Sequence, residues 1–336
     1  MGKIKVIVVD DSMLYREVLA KGLSADIDIE VVAKAVDPFD ARDKIIKFRP
    51  DVMTLDVQMP KMNGIEFLRR LMPQYPLPVI VISSISDAVF DAVNVGAVDF
   101  VAKPDIQSPK GVEAFINELI KKVKMAVYAK PTHRKSIGNT VPRVIDNNMP
   151  DRNKIIAIGA STGGTEAIFN VLKQLPSNIP GIVIVQHIPP VFSRMYAERL
   201  NSSTAFQVKE ARTGDTISPG EVLIAPGNEH MKIKKYNDGF RVKCYEGEKV
   251  NGHCPSIDVL FESVAQEAGA SSIGVILTGM GFDGAKGLLA MRNQGARTIG
   301  QDQDSSVVYG MPKVANNIGA VEKQVALSNV PQAICS

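Results

Sequence analysis

The sequence predicts two α/β domains in series, each built on a mostly parallel sheet, the second with an antiparallel hairpin extension. Three observations predict it. A length of 336 residues implies about two domains. Short apolar runs alternate with stretches of helical periodicity over residues 1–124, and the same rhythm resumes at residue 154. Between them, residues 125–153 carry three prolines, many polar side chains and no periodicity, which reads as a linker.

Composition narrows the class. The chain is 45% hydrophobic and 22% charged, ordinary for a soluble globular protein. A net charge of +3 is too small to argue for nucleic acid, and no basic recognition helix is evident. Cys244, Cys254 and Cys335 are odd in number and form no C-x-x-C pair, so reduced thiols and a cytoplasmic location are expected. The first apolar run ends at Asp10-Asp11, too short for a signal-peptide core, and no run approaches the ~18 residues of a membrane span. No membrane insertion is expected.

In the first domain, strands are expected over 5–9, 30–35, 52–55, 79–82 and 98–102. Helices are expected over 13–23, 38–48, 65–71, 87–95 and 112–127. Alternation of this kind gives a parallel sheet covered on both faces, with working groups at the carboxyl ends of the strands. Those ends carry a consistent set: Asp10 and Asp11 after the first, Asp56 after the third, Ser83 after the fourth, Lys103-Pro104 after the fifth. Three carboxylates at one edge repel unless a cation joins them, and an oxygen-only donor set suits Mg²⁺. One carboxylate then serves as phosphoryl acceptor, with the lysine and the serine hydroxyl on the acyl phosphate.

The motifs VDDS, LDVQMPKMNG, VISS and KP together resemble the response-regulator receiver family over residues 1–124. The resemblance implies a flavodoxin-like fold, Mg²⁺ held by Asp10, Asp11 and Asp56, and phosphotransfer to Asp56 from a partner histidine kinase. Ser83 and Lys103 would be the switch residues.

The second domain opens on KIIAIGASTGG, residues 154–164. A strand over 155–158, a glycine turn and a helix over 165–175 lift Ser161 to a sheet edge, where backbone N–H groups converge. Gly159-Ala160-Ser161-Thr162-Gly163 fits the nucleophile turn G-x-S-x-G, a glycine-rich phosphate cradle, or a serine that merely caps the helix. A base and an orienting acid elsewhere decide among them. His187 stands at the end of GIVIVQ, and Asp283 lies in the glycine-rich TGMGFDG after the strand 272–277. Histidine suits the base role, a carboxylate fixes its tautomer, and glycines around Met280 leave amides open to an oxyanion. His133 falls in the linker, His230 precedes a hairpin-like run, and His253 abuts Cys254 in NGHCPS. These compete poorly, as do Asp215, Asp258, Asp302 and Asp304. The middle stretch, 206–244, suggests an antiparallel extension or hairpins. A helix over 256–268, another over 285–293, a strand over 297–300 and a last short helix after Pro312 complete the domain.

IGASTGGTEA, VQHIPPVFS, IAPGNEHM, PSIDVLF and LTGMGFDGAKGL, in that order, resemble the protein-glutamate methylesterases of bacterial chemotaxis from residue 154 to about 325. The resemblance implies a catalytic triad of Ser161, His187 and Asp283, with oxyanion support from Thr162 and the region of Met280. It implies no cofactor for the esterase. The substrates would be glutamate methyl esters, and glutamines, on the cytoplasmic helices of methyl-accepting chemoreceptors. Phosphorylation would relieve blockage of the active site by the receiver. Two rivals stand beside this reading: a phosphate-binding module built on GASTGG, and a transcriptional regulator.

Overall fold

The computed structural model describes residues 2–84, 88–104, 108–129 and 153–336. The chain divides into two compact units, Met1–Ser136 and Ile137–Ser336.

In the first unit the order is β1 (Ile4–Val9), α1 (Met13–Ser24), β2 (Ile29–Ala35), α2 (Pro38–Phe48), β3 (Val52–Asp56), α3 (Gly64–Leu71), β4 (Val79–Ser83), α4 (Ala88–Val95), β5 (Asp99–Ala102) and α5 (Pro109–Ala126). The strands pair in the order β2-β1-β3-β4-β5, all parallel, the flavodoxin-like arrangement. Every residue of β3 and β4 is buried, which is why both read as continuous apolar runs rather than alternating ones. Helix starts are set by local chemistry. The Asp37 carboxylate accepts the Phe39 and Asp40 amides ahead of Pro38, and Asn63 Oδ1 accepts the Glu66 amide at 2.8 Å. Position 87, expected to open α4, lies outside the described residues. Helix α5 runs two residues into the stretch expected as linker.

The second unit runs β6 (Ile155–Ala160), α6 (Gly164–Gln174), β7 (Gly181–Gln186), α7 (Phe192–Ser203), β8 (Gln207–Glu210), β9 (Thr216–Ile217), β10 (Glu221–Ile224), β11 (His230–Tyr236), β12 (Gly239–Tyr245) and α8 (Ile257–Glu267). It continues with β13 (Ser272–Ile276), α9 (Ala285–Asn293), β14 (Arg297–Gln301), α10 (Met311–Asn317), β15 (Lys323–Val325) and α11 (Val330–Cys335). Seven strands form one sheet in the order β15-β14-β13-β6-β7-β10-β8, parallel throughout. A separate antiparallel sheet, β11-β12-β9, packs its first strand on α8, where Ser263 Oγ accepts the Ile233 amide at 3.0 Å.

The stretch 206–244 therefore splits. The antiparallel part holds, but β8 and β10 join the main sheet as parallel strands. Strand β8 lies at the sheet edge, so its alternate residues face solvent and its pattern mimics a hairpin strand. The chain from β6 adds β7, β10 and β8 on one side, then returns to add β13, β14 and β15 on the other. The switch point thus falls between β6 and β13, the place where open α/β sheets bind ligands. Ile155, Ile156 and Ile158 of β6 and Ile257, Leu260 and Phe261 of α8 are all buried, each such side chain contributing ~1.5–3 kcal/mol. Among the described residues, no helix is long and apolar enough to cross a membrane.

Candidate active site and phosphoacceptor pocket

Three turns at the second sheet's switch point bring the expected residues together. The turn after β6 is tight because its glycines have no room for a side chain. Gly163 has φ 74°, and a Cβ there would fall 2.7 Å from Val307; a Cβ on Gly164 would fall 2.2 Å from Gln186 Oε1. Gly163 itself occupies the cap of α6, with no side-chain cap bond, so Ser161 does not cap the helix. Its Oγ lies 3.2 Å from His187 Nδ1 instead. The Ser161 amide donates to the Thr278 carbonyl at 3.0 Å, so it is not aimed at a phosphate. The Ser161 carbonyl accepts from Gln186 Nε2 at 2.9 Å, which ties the nucleophile turn to the end of β7.

His187 follows β7 and places its Nε2 2.9 Å from Asp283 Oδ2. A carboxylate only accepts, so the proton sits on Nε2 and the Nδ1 lone pair faces the serine. The two ring nitrogens are exchanged relative to the chymotrypsin-type triad, with the same chemistry. Asp283 is 1% exposed. Its oxygens accept from His187, from Asn251 Nδ2 at 2.8 Å, Ser256 Oγ at 2.7 Å, and the Ile257 and Asp258 amides at 2.7 and 3.3 Å. Burial pushes its pKa up, but the hydrogen bond and charge of His187, then the Asn251 side chain and the Ile257 amide, outweigh burial and hold the carboxyl far below the usual range.

The third turn follows β13. Thr278 Oγ1 donates to the Thr162 carbonyl at 3.0 Å, and a Cβ on Gly279 would fall 2.7 Å from Ser161 Cβ. The chain at Gly279-Met280 therefore crosses directly beside the nucleophile turn. Thr162 is buried, while the Met280 side chain is partly exposed.

Residues to which the sequence assigns no role complete the arrangement. The His253 ring stacks on His187, centroids 3.7 Å apart and planes at 8°. Asn251 bridges Asp283 and Asp258, donating to Asp258 Oδ2 at 2.7 Å. Burial, together with the charge of Asp283, raises the pKa of Asp258, although its Oδ1 accepts the Gly287 amide at 2.7 Å. The sequence signals for this group are the polar run NGHCPSID between a strand and a helix and the motif PSIDVLF that overlaps it, and neither assigns these residues a role.

The first unit gathers its own set at the switch point between β1 and β3. Carboxylate oxygens of Asp10, Asp11 and Asp56 lie within 4.8 Å of one another. Lys103 Nζ sits 2.6 Å from Asp56 Oδ2 and 2.9 Å from Asp10 Oδ2. Burial raises the Asp56 pKa and the Asp10 charge adds to this, with Lys103 working against both. Burial would lower the Lys103 pKa, but Asp56 and Asp10 outweigh it and raise it. The Ser83 hydroxyl is buried and has no hydrogen-bond partner among the described residues. An orphaned donor beside buried carboxylates fits a pocket for a phosphoryl group, and the all-oxygen donor set fits Mg²⁺.

Fold and site together define a two-domain α/β protein with a Ser–His–Asp arrangement in one unit and a lysine-bearing acidic pocket in the other. The family model described as CheB methylesterase matches residues 156–334, and that of the response regulator receiver domain matches residues 6–114. A protein-glutamate methylesterase/protein-glutamine glutaminase of Syntrophomonas wolfei is 58% identical over 99% of this chain and 97% of its own. That of Salmonella typhimurium is 46% identical over 99% and 96%. The crystal structure of the Thermotoga maritima CheB methylesterase catalytic domain is 37% identical, with a TM-score of 0.53, covering 54% of this chain and 96% of that one. The chain belongs to the CheB methylesterase family. It is a protein-glutamate methylesterase with protein-glutamine glutaminase activity, carrying a receiver domain.

Proposed function

We propose that Ser161, His187 and Asp283 form the catalytic triad of this methylesterase, and that phosphorylation of Asp56 regulates it in chemotactic adaptation. One observation carries the reading: the unbroken chain from Ser161 Oγ through His187 Nδ1 and Nε2 to the buried, ionised Asp283. The Ser161 oxygen attacks the side-chain ester carbonyl as its proton passes to His187 Nδ1, and Asp283 stabilises the imidazolium. Amides near Thr162 and Met280 stabilise the oxyanion. Collapse breaks the ester C–O bond, or the amide C–N bond where the substrate is glutamine, and His187 gives its proton to the leaving group, which departs as methanol or ammonia. Water, deprotonated by His187, then releases the glutamate and restores the serine.

The substrates are the cytoplasmic helices of methyl-accepting chemoreceptors. The partly exposed side chains of Val191, Val250, Met280 and Phe282 lie on the loops that carry the triad and its supports, and they suit the apolar stripe of a helix. On the receiver, Asp56 takes the phosphoryl group from a chemotaxis histidine kinase, Lys103 neutralises it and Ser83 donates to it. Asp10, Asp11 and Asp56 hold Mg²⁺, which when bound supplies charge neutralisation for the transfer. The division into receiver 1–124, linker 125–153 and esterase 154–336, with a cytoplasmic location, completes the reading.

Methanol release from methylated receptor membranes, run beside a fluorophosphonate probe, tests it. Labelling at Ser161 that vanishes in His187→Ala is the expected result. Label on another residue, or full methanol release by Ser161→Ala, would overturn the triad.

A further inference from the structure

Asp283 owes four of its five donors to one segment: the Asn251 and Ser256 side chains and the amides of Ile257 and Asp258. The same segment lays His253 against His187. It is the loop 246–256 between β12 and α8, with the first turn of that helix; Val250 and His253 exchange backbone hydrogen bonds within it, which shapes its tip but does not tie its two ends to the body of the domain. His230 supplies the constraint from outside. It is the first residue of β11 and is 2% exposed. Its Nε2 lies 2.8 Å from the Glu248 carbonyl near the start of the loop, and its Nδ1 lies 3.2 Å from the Ser256 amide at the end.

Those partners fix the ring. An amide N–H only donates, so Nδ1 presents its lone pair, and a carbonyl only accepts, so Nε2 carries the proton. A single neutral tautomer therefore closes the loop at both ends. Gly247 allows the close approach, since a Cβ there would fall 3.0 Å from His230 Cδ2. We propose that His230 is a positioning residue of the esterase: without touching the reacting atoms, it clasps the 246–256 loop and so sets the geometry of the His187–Asp283 pair. This inference rests on the triad reading above.

The test compares full-length His230→Leu and His230→Gln with the parent chain and with Ser161→Ala, by methanol release from methylated membranes with phosphodonor and Mg²⁺ present. Leucine fills the space but leaves both loop ends unpaired, and kcat should fall about tenfold or more, since small misplacements of a catalytic group are that costly. KM should not move, and thermal unfolding should remain one cooperative transition for the esterase unit. Glutamine offers a donor and an acceptor at nearly the ring's spacing, and should return kcat to within about threefold of the parent. A leucine variant within threefold of the parent overturns the inference. So does a glutamine variant as slow as the leucine one, or a rise in KM with kcat unchanged. If leucine prevents folding, His230→Asn decides: it keeps an acceptor near Ser256 but falls short of Glu248, and undiminished kcat there overturns the proposal equally. An active Ser161→Ala brings down the triad and this inference together. A dead Ser161→Ala beside a fast His230→Leu brings down the inference alone.

Discussion

Asp283 is buried, yet ionised, because every charged lone-pair direction is met by a donor. Its folded pKa lies below the ordinary 3.8, so it adds stability that is fully present above the unfolded value and is lost as pH falls through the folded one. Asp283→Asn should therefore flatten the acid limb of the Tm–pH curve below about pH 4. An unchanged slope, measured by calorimetry on the esterase transition, would show that the charge is not held as described. On activity, Ser161→Ala and His187→Ala should each cost ~10⁶ in kcat, and Asp283→Asn less, up to ~10⁴, since it leaves nucleophile and base in place but an amide can no longer fix the tautomer. These three residues were legible because each follows an apolar strand in a glycine- or proline-bearing turn. Asn251, Ser256 and His253 were not, because they meet the triad only through a loop whose path no periodicity encodes. In the sequence His253 only abuts Cys254, and two adjacent residues do not make a site; its stacking on His187 is a purely three-dimensional fact.

At the scale of elements, the nucleophile turn and the β13 turn are tied by the Ser161–Thr278 and Thr278–Thr162 hydrogen bonds, and a glycine sets how closely they approach. A Cβ on Gly279 would meet Met311 Sδ at 2.5 Å and Ser161 Cβ at 2.7 Å. Gly279→Ala should cost ~1–3 kcal/mol by overpacking and lower kcat by ~10², as the serine is pushed from its base. Gly281→Ala makes the contrast: its φ of 88° is strained for alanine but nothing lies within 4 Å, so about 1 kcal/mol of stability should go with little change at Ser161. Tm and kcat on the two variants separate crowding of the nucleophile from backbone strain; equal kcat losses would refute the distinction. The elements themselves were readable where burial is complete, as in β6 and β7, whose residues are all buried. They were not readable at the edges. Strand β15 is three residues long with none buried, and α11 is six residues, too short for a helical period to declare itself.

At the scale of the molecule, the same chain carries two parallel sheets, each with its reactive groups at a switch point, and the proposal requires one to govern the other. Phosphorylation of Asp56 replaces a carboxylate of charge −1 with an acyl phosphate of about −2, a net gain of about one negative charge beside Lys103, with the Ser83 hydroxyl unpartnered among the described residues. Asp56→Asn should fold, bind receptor and remain deaf to phosphodonor; an acyl phosphate formed as readily without Asp56, or without divalent cation, would remove it as the acceptor. Governing requires little energy, since about 1.4 kcal/mol shifts a population ratio tenfold. Two readings give the control opposite signs. If the resting receiver restrains the esterase, a fragment beginning near Asn153 should release methanol faster than the unphosphorylated whole and ignore phosphodonor. If the receiver instead contributes receptor docking, that fragment should be slower than the resting whole. Fragment, whole chain and phosphorylated chain, compared at equal concentration on the same methylated membranes, decide between them, and a fragment no faster than the resting whole rules out restraint.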